Sequence, residues 1–141
     1  DNADIEHTKH STGHYKVERK LAGGKTQDVF VAKDTEYFQR AEVRKVWSLV
    51  LVSKDAPSSE LMMRLLRQSS ATKIGSWAIE KNSADEHMVI FVAKLDATAP
   101  DQALKGTIEY VARIAGAMSK ELNPKDDAKS SAETLANWLA D

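Results

Sequence analysis

The sequence predicts an α+β domain, an antiparallel β-sheet meander with helices packed on it, and three observations carry that expectation. Val46-Trp47-Ser48-Leu49-Val50-Leu51-Val52 and Met88-Val89-Ile90-Phe91-Val92-Ala93 are short apolar runs rich in β-branched and aromatic residues, the pattern of buried strands. The extended stretch Lys73 to Glu80 is followed after six polar residues, Lys81 to Glu86, by a second one from His87 to Leu95. That connection is too short for a parallel crossover, so the two strands pair antiparallel. After Pro100, residues Leu104, Ile108, Val111, Ala115, Met118 and Leu122 recur at alternating spacings of four and three. This is one apolar seam along a helix that has to lie against a sheet.

Taken in order, Asp1 to His14 contains one large apolar side chain, Ile5, and no period that would bury a face, so residues 1–14 are expected to form a mobile polar arm. Tyr15, Val17 and Arg19 alternate weakly toward Leu21, and Gly23-Gly24 marks a hairpin because both residues tolerate positive φ. The return strand is Thr26 to Ala32, centred on Val29-Phe30-Val31. Lys33 to Arg40, polar with Tyr37 and Phe38 embedded, reads as a turn into a third strand from about Ala41 to Val52. Its first half alternates, and its second half is apolar on both faces, as suits the middle of a sheet.

Pro57 sets up a helix from Ser59 to Gln68, with Leu61, Met62, Leu65 and Leu66 as the buried stripe and Arg64 and Arg67 outside. The long helix has a start signal in Thr98, Pro100 and Asp101, a cap, a first-turn proline and an acid at the positive helix end. Asn123-Pro124 stops it. Ser130-Ser131-Ala132-Glu133 is a further capping box, followed by Leu135, Trp138 and Leu139 on one side. Residues 15–125 are therefore expected as a single α+β domain, and 126–141 as a short helix that docks on it or on a partner.

Composition narrows the function classes. The chain has 141 residues, 42% hydrophobic and 29% charged, enough for one core and not for two. A formal charge of -1 argues against a general electrostatic grip on nucleic acid or anionic lipid, which needs an excess of Lys and Arg. No apolar run approaches the roughly 20 residues of a membrane span. Cysteine is absent, so disulfides, thiol catalysis and thiolate metal sites are excluded. The polar start at Asp1 resembles what a cleaved secretory peptide leaves, which tilts the expectation toward an exported protein.

Candidate chemistry is sparse. His7, His10 and His14 have spacings of three and four that would align imidazoles on a helical turn, but their surroundings do not favour a helix, and a polar arm without metal is the expectation. Asp85-Glu86-His87 falls at a hairpin tip, where water screens it. Ser48 and Ser76 lack the strained elbow of a nucleophilic serine, and Gly23-Gly24 lacks the rest of a phosphate loop. Arg40, Arg44, Arg64 and Arg67 are read as a solvated face or a patch for an acidic partner. Neither a catalytic set nor a cofactor is expected. The residues singled out for partner binding are Arg44, Trp47, Met62, Met63, Trp77 and Trp138: aromatic anchors beside basic residues, and adaptable thioethers. For Trp47 and Trp77, packing in the core is the competing reading.

The central region resembles the YbjN family of bacterial sensory-transduction regulators, which shares its fold with type III secretion chaperones. The resemblance rests on Arg44-Lys45-Val46-Trp47-Ser48, the helix ending Leu65-Leu66-Arg67-Gln68, Lys73-Ile74-Gly75-Ser76-Trp77-Ala78-Ile79-Glu80, Val89-Ile90-Phe91-Val92-Ala93 and the helix after Pro100, over roughly residues 26 to 122. It implies a type III secretion chaperone-like fold and a non-enzymatic, often dimeric, protein-binding molecule of bacterial type. Family members begin with a helix that packs on the sheet; none is offered before Tyr15, so the carboxy-terminal helix is expected to supply that layer. The function expected is binding of a polypeptide, or of a second copy of the chain, through a sheet face or edge. The alternative is a small apolar ligand held between sheet and long helix, where Ala112, Ala115, Gly116 and Ala117 would leave room.

Overall fold

The computed structural model describes residues 6–10 and 13–122. The elements are β1 (Thr8–Lys9), β2 (Tyr15–Lys20), β3 (Thr26–Val31), β4 (Glu36–Phe38), β5 (Ala41–Ser53), α1 (Ser59–Ala71), β6 (Ser76–Lys81), β7 (His87–Asp96) and α2 (Asp101–Leu122). Seven strands form one antiparallel sheet in the order β1-β2-β3-β5-β7-β6, with β4 paired to the start of β5. Both helices pack on the same face, so the fold is α+β, as the sequence predicts.

The meander holds as far as β5 and then departs. β7 lies between β5 and β6 and is antiparallel to both, so β5 and β6 run parallel with α1 as their connection. The apolar run of β5 and the β-rich run of β7 form the middle of the sheet, and the shorter β6 closes one edge.

The β2–β3 hairpin turns at Gly23 and Gly24, with φ of 85° and 81°, and the ladder runs from Lys20↔Thr26 to Tyr15↔Val31. Val17, Val29, Val31, Val46, Val89, Phe91 and Ala93 line the helix side, under Ile108, Val111, Ala115, Met118 and Leu122 of α2. Each alternate strand position thus meets the 3.6-residue seam of the helix. Within this interface the space above Gly116 is filled: a Cβ there would run into Leu21 Cδ1. Ala112 and Ala115 are buried in the same packing, while Ala117 is exposed. Gly116, Ala112 and Ala115 allow close approach of helix and sheet at that point.

Three local expectations are corrected, and one cap is added. The α1 stripe is narrower than its apolar content: Leu61 and Leu65 are buried, Met62 is half-buried, and Leu66 is 66% exposed, because α1 rests on β6 at the edge of the sheet. The cap of α1 is Ser58, whose side chain accepts from Leu61 N–H. Thr98 does not cap α2: its N–H and hydroxyl both donate to Asp96, and the Pro100 carbonyl accepts the first helical bonds from Ala103 and Leu104. β6 begins at Ser76 rather than Lys73, because Gly75 adopts φ 77°, outside the strand region.

The first residues also differ from an unattached arm. Thr8 and Lys9 pair with Lys16 and Tyr15, extending the sheet by a short edge strand. The stop at Asn123-Pro124, the helix expected between Ser130 and Leu139, and Trp138 lie outside the described residues.

Candidate functional site

Alternation along β5 separates the residues that the sequence groups together. Val46 and Ser48 face the helices, so Arg44 shares their side, whereas Lys45, Trp47 and Leu49 face away from them. Ser48 is fully buried because its hydroxyl donates to the Asp28 carbonyl and accepts from Gln27 Nε2 at 2.7 Å. It is a satisfied core polar group with no base beside it.

Trp47 lies on the sheet face opposite the helices. It stacks on Phe30 of β3 with ring centroids 5.6 Å apart and planes 22° from parallel. His14 meets the Trp47 ring edge-on at 5.0 Å, and His10 meets Phe30 likewise at 5.3 Å. The His14 ring is fixed from its other side, since Lys33 N–H donates to Nδ1 at 3.1 Å. His7 lies apart, edge-on to Tyr15. The three imidazoles thus rest on three different aromatic rings, and among the described residues no group of His, Asp or Glu is placed to hold a metal ion.

Lys45 connects this aromatic cluster to the far edge of the sheet. Its ammonium sits 5.1 Å from the centre of the Trp47 ring and 3.1 Å from Glu80 Oε2 on β6, reaching across β7. Beneath that bridge is a trough of about 510 Å³. Its floor is Val43, Ala78 and Val92, and Lys94 and Glu36 stand at its sides. Beyond it β4 exposes Tyr37 and Phe38, the latter 72%. Ile90, on the same face, is buried beside its cross-strand partners Leu49 and Ala78. No described helix covers this face.

The remaining candidates go elsewhere. Trp77 is 7% exposed, packs edge-on to Phe91 at 5.2 Å, and donates through Nε1 to Gln68, so it is a core residue and not an outward anchor. Met62 and Met63 are on α1, with Met63 exposed. Arg64 pairs with Glu121 of α2, and Arg40 lies in the β4–β5 turn, so the arginines form no common patch. Asp85, Glu86 and His87 border a hairpin turn organised by Asn82, whose side-chain oxygen accepts from Ala84 and Glu86 N–H at the protein surface.

No family model and no curated protein matches the chain. The site therefore rests on its own geometry. Phe30, Lys45, Tyr37 and Phe38 were absent from the sequence candidates. The signal for Phe30 was available in Val29-Phe30-Val31, where two inward valines turn the ring between them outward.

Proposed function

We propose that the chain is a non-catalytic polypeptide-binding protein whose binding surface is the open sheet face centred on Phe30 and Trp47. The observation that carries this reading is a stacked aromatic pair on a face no described helix covers, continuous with the trough under the Lys45–Glu80 bridge. Aromatic rings of this kind give large contact area at low conformational cost and recur at the centres of protein interfaces.

The occupant that fits is an extended segment with alternating apolar and charged side chains. Its apolar positions would meet Trp47, Val43 and Val92, and its charged ones Lys45, Lys94, Glu36 and Glu80. The resemblance to YbjN-like regulators and secretion chaperones points the same way, as an analogy of fold alone. No helix among the described residues is long and apolar enough to cross a membrane.

The test is ¹⁵N chemical-shift mapping of the full chain while hexapeptides of alternating apolar and charged residues are added, repeated on Trp47→Ala. Shifts confined to β3, β5 and β7 that vanish in the variant, with its circular dichroism unchanged, are expected. Shifts centred on α1 or α2, or none with any peptide, overturn the proposal.

A further inference from the structure

On the other side of the sheet, where α2 begins, lies a cleft of about 340 Å³, within the lower range of small-ligand sites. Its apolar wall is Leu95 of β7 and Leu104 of α2, and its polar lining comes from Lys33, Arg44, Asp96 and Asp101. The chain thus brings two cations and two acids around one apolar surface.

The charges are not used up on one another. Arg44 Nη1 donates to the Ala32 carbonyl at 2.6 Å, which orients the guanidinium, and among the described residues no carboxylate lies within ion-pair distance of it. A guanidinium has five N–H donors in a planar fork suited to a carboxylate, and the Ala32 contact occupies only part of it. Lys33 also lacks an ion pair among these residues, and its stem is held against Gly13, where a Cβ would approach Lys33 Cδ to 2.9 Å. Asp96 is kept ionised by the two bonds from Thr98, which hold its carboxyl below the usual range.

A purely anionic ligand would meet Asp96 and Asp101 as well as the cations, and a purely cationic one the reverse. A ligand carrying both charges satisfies the whole lining. We infer that this cleft binds a small zwitterion with a short apolar body, of the class of the aliphatic α-amino acids. Its carboxylate lies toward Arg44 and Lys33, its ammonium toward Asp96 and Asp101, and its side chain against Leu95 and Leu104. The site is independent of the open sheet face, since Arg44 and Trp47 occupy opposite sides of β5.

Calorimetric titration of the full chain with L-leucine, 4-methylpentanoate and isopentylamine tests this. Saturable binding of leucine is expected, with each single-charge analogue at least about ten-fold weaker, the least that losing a charge-assisted hydrogen-bonding group costs. Arg44→Gln and Lys33→Gln should each weaken leucine binding while melting like the parent chain, and the second variant leaves the Ala32 contact intact if the first disturbs folding. 4-Methylpentanoate binding as tightly as leucine would remove any role for the two aspartates and overturn the zwitterion assignment. No saturation by leucine up to about 10 mM, well above the 1 mM dissociation constant of a weak site, would overturn the site itself.

Discussion

Replacing Gly75 by alanine should cost far more than the same change at Gly24, although both residues have left-handed backbone, φ 77° and 81°. That conformation costs a residue with a Cβ about 1–2 kcal/mol at either position, offset by about 0.4–1 kcal/mol through the stiffer unfolded chain. The surroundings differ. At Gly24 nothing lies within 4 Å of the added methyl, whereas at Gly75 it would meet the Val92 carbonyl oxygen at 2.6 Å and the Phe91 ring at 3.1 Å. Phe91 is fully buried and Val92 belongs to the central strand β7, so neither has somewhere to move. Forcing a methyl into such a site adds about 1–3 kcal/mol. Gly24→Ala should therefore lose about 0–1.6 kcal/mol, and Gly75→Ala about 1–3 kcal/mol more than that. Urea unfolding followed by circular dichroism measures both, with a common slope confirming that only stability has changed. Equal losses at the two glycines would refute the argument, because they would mean that β6 yields to the methyl without strain.

Three further expectations follow. Trp77→Ala, which empties a core site and orphans the Gln68 contact, should lose about 3–5 kcal/mol in the same unfolding assay, while Leu66→Ala on the exposed side of α1 should stay within about 0.5 kcal/mol of the parent. Thr98→Val removes the hydroxyl that is the first cause of the lowered Asp96 pKa, so a ¹³C titration of that carboxyl should move back up toward its ordinary value. Because the folded-state value is the lower one, this bond stabilises the chain above the unfolded carboxyl pKa and is lost as pH falls through the folded value.

The sequence made the periods legible, and the structure decided which face each period presents. The α2 seam and the Gly23-Gly24 hairpin followed from spacing and backbone freedom alone. The inward face of β5 did not, since Val46-Trp47-Ser48 leaves the tryptophan open to an outward or a core reading. The serine turns inward because Gln27 and the Asp28 carbonyl, some twenty residues earlier, satisfy its hydroxyl. A buried polar residue is affordable only where such partners exist, and a single stretch of sequence does not contain them. Leu66 was misplaced for a related reason: α1 sits at the sheet edge, and how much of its apolar surface is covered depends on strand order. That order was not legible either, since the insertion of β7 between β5 and β6 is a long-range pairing.

The placement of both candidate sites depends on the register of β5. Shifting its pairing by one residue would turn Lys45 and Trp47 into the core and Val46 and Ser48 out, leaving the Ser48 partners unmatched and a lysine facing the helices. The buried valines, the Ser48 hydrogen bonds and the long ladder with β7 all oppose that shift. Farther along, the ladder is irregular between Leu49 and Leu51, and Val50 and Leu51 are both buried in succession. An extra residue of this kind resets the alternation. The aromatic face therefore ends near Leu49, and the strand's last buried residues serve the core beneath α1 and α2. Arg44 and Trp47 lie on opposite surfaces of one rigid strand, so a side-chain change at either should alter its own surface and leave the other's binding unchanged, as independent sites without shared partners do.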